Sequence, residues 1–351
     1  MSEPIKLGLL AASRIATKAV VEPATDVDGV EITAVAARSG ERAAKSAAEW
    51  GAEQSFGSYR ELIDSDVDAI YIATPAALHR QWAVAALEAG KHLLCEKPLA
   101  ANAEDAAVIA EAADAAAANG VVAMEAFHWR YHPFTEQLQS ALVSGELGAV
   151  RRIVTRFDIE DGRIDRTDIR WDRSIGGGAL MDLGCYSIQW LRFAGEVLGL
   201  GEPEVTSASA VCPVDGVDGE MKAELTWPDA AVTGHIGASM IADFSDENPE
   251  DVIGGHITNL VVHGDRGTLK ATNPLAPQNG AALVVATDDG QRFEEVASSS
   301  TYYHQLVAFR DAITDGTAFP TTMADGVRNM AVIDACYRAA GLEPRPAIGD
   351  S

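Results

Sequence analysis

Through residues 1–127, short runs of aliphatic and β-branched residues alternate with amphipathic segments, and this alternation constrains the fold more than any other feature. Ile5–Leu10, Val30–Ala36, Ala69–Ala73, His92–Cys95 and Val121–Ala126 have strand character. Between them, Ser13–Val20, Glu41–Trp50, Ala77–Ala89 and Asn102–Asn119 carry helical spacing, closed by glycines at Gly51 and Gly90. Strands joined through helices cannot pair as tight hairpins, so the pattern predicts a doubly wound parallel sheet covered on both faces.

After Phe127 the pattern changes. Helices are predicted at Thr135–Ser144 and Ala179–Ala194, the second preceded by Gly176-Gly177-Gly178, with a strand at Val150–Phe157. Val205–Val211, Met221–Trp227, Val232–Met240, Ile257–His263 and Ala282–Thr287 follow as strands. Turn signals at Pro228-Asp229, Asp265-Arg266-Gly267 and Asp289-Gly290 separate some of them. Two helices, Tyr302–Thr314 and Met323–Ala340, close the chain. The fold class is therefore α/β plus α+β. Residues 1–126 are expected to form the doubly wound domain, and 127–351 an α+β domain on a large, mostly antiparallel open sheet. Alternating strands of that kind predict an apolar outer face, which a second subunit would cover.

The charge balance narrows the partners. With 27 basic and 52 acidic residues the formal charge is −25, a surface that repels phosphate backbones and anionic membranes. No apolar stretch is long enough to span a bilayer, and the N-terminal run lacks the marks of a secretion signal. Cys95, Cys185, Cys212 and Cys336 are widely separated and form no C-x-x-C pair, which suits reduced thiols in a cytoplasmic protein.

Four segments carry candidate chemistry. The first strand–helix turn, Gly8 to Ile15, holds small residues where a helix N-terminus could meet a pyrophosphate, although Gly8 is its only glycine. The second strand ends in Arg38 and Ser39 with no carboxylate, which favours a 2′-phosphorylated ribose. Glu96, Lys97 and Pro98 follow a buried strand at the sheet end where such folds bind ligands. Asp182 and Tyr186 stand four apart behind three glycines, on one face of a helix. His128 and His132 share that spacing, but the Trp129-Arg130-Tyr131 between them reads as packing and no metal is assigned.

Together, GLLAASRIA, AARS, ATP, CEKP, EAFHWRYHP and GGGALMDLGCY resemble the glucose–fructose oxidoreductase/inositol dehydrogenase (Gfo/Idh/MocA) family, from the first strand to DGVRNMAVIDACYRAAG. The similarity is greatest to dihydrodiol dehydrogenases and NADP-dependent D-xylose dehydrogenases. It implies a Rossmann-type first domain binding NADP, with NAD as the other nicotinamide the site could take. Gly8, Ala11, Ser13, Arg14, Ile15, Arg38, Ser39, Thr74, Pro75, His79, Glu96 and Lys97 are implied as cofactor-binding. Of these, Ser13, Arg14 and Ile15 fall at the pyrophosphate and Arg38 and Ser39 at the 2′-phosphate, while Thr74, Pro75 and Glu96 flank the nicotinamide. Ala11 and Ser13 stand where the family has glycines. Lys97, Asp182 and Tyr186 match its catalytic positions, and His128, Arg170 and Asp182 would face substrate.

The implied reaction is hydride transfer between nicotinamide and a carbinol carbon of an aldose or vicinal diol, in a homodimer or homotetramer. Tyr186 would be the acid/base, with Lys97 favouring its ionised form. An NADP-binding regulator without catalysis, or a lyase or isomerase using the cofactor transiently, are the competing readings.

Overall fold

The computed structural model describes residues 3–348, which divide into two compact units. The first comprises the chain up to Tyr131 together with Thr301–Arg328; the second comprises His132–Ser300 and Asn329–Pro346. The sequence boundary after residue 126 assigns everything beyond it to the second domain, whereas the first unit takes back 301–328. The reason is packing. Leu306, Phe309 and Ala312 of the helix Thr301–Asp315 belong to the same apolar core as Leu7, Leu9, Val20 and Tyr71.

The first unit is a six-stranded parallel sheet of β1 (Ile5–Leu10), β2 (Val30–Ala36), β3 (Gln54–Phe56), β4 (Ala69–Ile72), β5 (His92–Cys95) and β6 (Ala123–Glu125), in the order β3-β2-β1-β4-β5-β6. The order reverses between β1 and β4, the place where open α/β sheets leave a crevice at their carboxyl ends. All four residues of β4 are buried, as a central strand covered on both faces requires. Gly8 lies inside β1, where a Cβ would press on Leu62 at 2.9 Å and Val67 at 3.2 Å. Its smallness lets the helix Tyr59–Ile63 seat on the sheet.

The second unit is an eight-stranded mixed sheet of β7 (Val150–Glu160), β8 (Glu204–Val211), β9 (Glu220–Trp227), β10 (Val232–Ala242), β11 (His256–Gly264), β12 (Gly267–Thr272), β13 (Ala282–Thr287) and β14 (Gly290–Glu294). The order is β14-β13-β12-β11-β7-β10-β9-β8, antiparallel except for the β7–β10 pair. Ile153, Phe157, Ile236 and Ala238 on these central strands are buried, and the helix Cys185–Val197 packs against β7 and β10. The other face departs from the apolar surface expected. Its alternate positions carry Arg152 paired with Glu224, Arg156 paired with Asp158, and Lys270, while Glu247 and Asp251 reach Arg156 and Lys270 from outside the strands and His235 Nδ1 lies 2.7 Å from Glu224 Oε1. Among the described residues no helix is long and apolar enough to cross a membrane.

Candidate functional site

In the first unit the site is built on the carboxyl ends of β1, β2, β4 and β5. After β1, Ala11 takes φ 93°, a left-handed conformation that favours glycine. Ser13 precedes the helical segment 14–24 without capping it, and its buried Oγ has no hydrogen-bond partner among the described residues. Arg14 and Ile15, in the first helical turn, are exposed. The turn is tied sideways by Arg42, whose Nη2 donates to the Ala12 carbonyl at 2.7 Å.

Arg38 and Ser39 are exposed at the end of β2, and Ser39 caps the next helix by accepting from the Arg42 amide at 3.2 Å. Tyr59 lies in the field of both Arg38 and Arg42. Burial pushes its phenol above the usual range, and the two guanidiniums pull the other way. Arg42 and Tyr59 gather beside Arg38 at these strand ends, and sequence reasoning passed over both. The signal was a second arginine four residues after Arg38; for Tyr59 there was none, because it arrives from a separate helix.

At the end of β4, Thr74 is 6% exposed and its Oγ1 has no partner among the described residues, while the adjoining Pro75 is partly exposed. His79 does not face the crevice. Its ring is fully buried, with Nε2 2.8 Å from the Thr74 carbonyl and Nδ1 3.1 Å from that of Pro98 and 3.3 Å from that of Leu99. Burial chiefly, with the charge of Lys97 adding to it, holds its pKa below the ordinary imidazole value. The ring therefore ties the loop after β4 to the loop after β5 from beneath. Glu96 is likewise turned inward: Tyr71 Oη donates to its Oε1 at 2.7 Å and the Lys97 amide to its Oε2 at 3.2 Å. Lys97, next in the chain, is partly exposed.

His128 is 3% exposed, with Nδ1 2.8 Å from Thr301 Oγ1 and its ring stacked 4.0 Å from Tyr302. Burial, then the charge of Lys97, pushes its pKa down to about 3, so it is neutral in the folded chain. His132, in the second unit, caps the helix Pro133–Val143 by accepting from the Phe134 amide at 3.1 Å. Among the described residues no group of three or more His, Cys, Asp or Glu could hold a metal ion.

In the second unit Asp182 and Tyr186 lie on one continuous helix that opens with a π-turn, Leu180–Gly184, before the α-helical Cys185–Val197. Such turns recur at functional sites. Tyr186 is 5% exposed, its ring 5.8 Å from Phe157 and 5.9 Å from Trp190. Arg170 Nε donates to Asp182 Oδ2 at 2.5 Å, and its Nη1 to Asp168 Oδ1 at 3.1 Å. Three glycines, Gly176, Gly177 and Gly178, precede this helix, and such a run allows a close approach of other atoms to the backbone. What approaches is the protein itself: a Cβ on Gly177 would meet the carbonyl oxygens of Arg170 and Asp172, each at 2.7 Å.

Comparison with known proteins bears on this arrangement. Residues 5–127 match the family model of the oxidoreductase family, NAD-binding Rossmann fold, and residues 135–270 that of the GFO/IDH/MocA C-terminal domain. A D-xylose 1-dehydrogenase (NADP(+)) of Haloferax volcanii is 34% identical over 340 residues, 95% of this chain and 96% of its own. A 1,5-anhydro-D-fructose reductase of Ensifer adhaerens is 31% identical over 345 residues, 95% of each chain. A solved 3-ketoreductase from Actinomadura kijaniata, in complex with NADP and TDP-benzene, superimposes with a TM-score of 0.81 at 26% identity, covering 96% of this chain and 98% of that one.

Proposed function

Because the chain belongs to the Gfo/Idh/MocA family of oxidoreductases, we propose that it is an NADP-dependent dehydrogenase of sugars or vicinal diols, with Tyr186 as acid/base and Lys97 as its electrostatic partner. The observation that carries this reading is the end-to-end likeness to an NADP-using D-xylose 1-dehydrogenase.

The residues present fit such a cofactor. The Ser13 and Thr74 hydroxyls, buried at the ends of β1 and β4 with no partner among the described residues, suit a polar ligand lying across those strand ends. Arg38 and Arg42, with no carboxylate at the end of β2, suit a 2′-phosphate. Ser13, Arg14 and Ile15 would hold the pyrophosphate; Thr74, Pro75 and Lys97 would border the nicotinamide. His79 and Glu96 support those loops from below. NADP, when bound, supplies the hydride acceptor or donor.

The chain supplies the rest. Tyr186 takes the hydroxyl proton at its Oη during oxidation and returns it during reduction. The Lys97 ammonium favours the phenolate while that proton is away. Asp182, held by Arg170, accepts from a neighbouring substrate hydroxyl and fixes the ring's orientation. Self-association as a homodimer or homotetramer is proposed from the family likeness, not from the charged outer face of the second sheet, and sedimentation would size it.

The test is NADPH formation from NADP with a panel of aldoses and vicinal diols, D-xylose among them, comparing the native chain with Tyr186→Phe. Activity on one class, lost in the variant while NADP still binds, is the expected result. Undiminished turnover in the variant rules out Tyr186 as the acid/base.

A further inference from the structure

The segment that follows the helix Met323–Ala339 carries a residue that neither its position nor its surroundings in the sequence marks out. Arg345 has a side chain with no solvent exposure, ion-paired to Asp218, which has none either. Arg345 Nε donates to the Gly177 carbonyl at 2.6 Å and Nη1 to the Gly216 carbonyl at 3.1 Å. Its guanidinium lies 4.3 Å from the centre of the Tyr337 ring, and Tyr337 Oη donates to Asp218 Oδ1 at 3.0 Å.

Asp218 in turn holds the start of the helix that bears Asp182 and Tyr186. Its Oδ2 accepts from the Leu180 amide at 2.7 Å, and its backbone carbonyl accepts from the Ala179 amide at 2.8 Å. These are amides a helix start leaves without internal partners, and here a carboxylate 38 residues away in sequence takes one of them. The helix Met323–Ala339 itself touches the Tyr186 helix, where Asn329 Nδ2 donates to the carbonyl of Cys185, the residue before Tyr186, at 3.1 Å. Gly178, at φ 138°, completes the junction. A Cβ there would collide with Asp218, Arg345 and the Tyr337 hydroxyl.

A buried ion pair is a poor way to stabilise a fold, since apolar residues of the same size do as well or better. What it provides is direction: a leucine in place of Asp218 could fill the space but could not hold the Leu180 amide. We infer that Asp218, Tyr337 and Arg345 are positioning residues for the reaction, fixing the first turn of the Tyr186 helix from the C-terminal end of the chain. This rests on the reading of Tyr186 as acid/base. Removing the guanidinium leaves the Asp218 carboxylate buried without its cation, so the carboxylate turns away or takes up a proton. The helix start then loses its fixed orientation, and proton exchange at Tyr186 slows.

The experiment compares Arg345→Met, Arg345→Lys, Tyr337→Phe and Tyr186→Phe with the native chain. NADP affinity, kcat, KM and the pH profile of kcat are measured well below each melting temperature, on whichever sugar or diol of the panel is oxidised fastest. The expected result is that Arg345→Met binds NADP normally, loses tenfold or more in kcat with KM changed less than threefold, and shows a displaced pH profile. Arg345→Lys should recover part of kcat, and Tyr337→Phe should lose about threefold. A merely structural role would lower the melting temperature and leave kcat and its pH profile where they are; that outcome in Arg345→Met overturns the proposal. If Arg345→Met does not fold, Tyr337→Phe decides, and native kcat in that variant is equally fatal. Should Tyr186→Phe keep its turnover, the acid/base reading fails and the positioning role with it. An inactive Tyr186→Phe beside a fully active Arg345→Met sinks the positioning role alone.

Discussion

Arg170 sits between two carboxylates, its Nε 2.5 Å from Asp182 Oδ2 and its Nη1 3.1 Å from Asp168 Oδ1. The charge of Asp182 is the largest influence raising the guanidinium's pKa, so Arg170 stays charged at any working pH. The planar guanidinium fork reaches both carboxylates at once, Asp182 from Nε and Asp168 from Nη1, a span that a single ammonium does not reproduce. Arg170→Lys should therefore lose about tenfold in kcat/KM, or about 1.4 kcal/mol, and Arg170→Met more, with NADP affinity unchanged. Steady-state kinetics beside a cofactor titration checks this; equal activity in the lysine variant would make the fork irrelevant.

Arg38 and Arg42 are expected to select the phosphorylated cofactor. Arg38→Asp places a carboxylate where a ribose hydroxyl pair is commonly held and removes a charged hydrogen bond of about 1.5–3 kcal/mol. NADP should bind roughly ten- to a hundredfold more weakly on that scale, while NAD binds as well as before or better. Titration of both cofactors by fluorescence or calorimetry reads the ratio directly.

Ala11, at φ 93°, occupies a conformation that glycine adopts without strain. Ala11→Gly should raise stability by about 1 kcal/mol, the cost of the left-handed region less glycine's extra freedom when unfolded. A rise of roughly 2–4 °C in the melting temperature of the cofactor-free chain is expected. No rise would mean that the surrounding turn has relaxed to suit alanine.

His128 supplies a pH dependence. Its pKa is about 3 when folded and about 6.5 in an unfolded chain, so between those values the unfolded state binds a proton the native state refuses. Its contribution is complete above about pH 6.5 and declines as the pH falls toward 3, by up to about 1.4 kcal/mol per unit. The stability difference between the native chain and His128→Gln should then slope across that window. Parallel curves would show that His128 is not held neutral.

The alternation of strand and helix was legible because each segment is short, local and periodic: β1, β2, β5 and β13 were each read with the bounds the structure gives. β12 was missed because GTLKAT follows a strong turn signal and buries only two apolar side chains, Leu269 and Ala271, beside Thr272. The Arg38 and Lys97 neighbourhoods could be read from strand ends, since topology alone fixes where those ends gather. Tyr59, Asp218 and Arg345 could not, because each matters through a partner far away in sequence and none has a local pattern; Arg42 had only its spacing from Arg38. His79 shows the opposite error: the ring of a residue grouped with cofactor contacts is buried among the backbone carbonyls of Thr74, Pro98 and Leu99.

The chain's return to its first unit at Thr301–Arg328 limits how the molecule can be cut. A fragment ending at Tyr131 would carry all six parallel strands yet leave an uncovered hollow where Leu306, Phe309 and Ala312 belong. An autonomous cofactor module would need that helical stretch spliced back through a new linker. Gene fusions or swaps that treat the nucleotide-binding half as one contiguous block should yield insoluble products, whereas exchanging 132–300 as an insert leaves both covering segments in place.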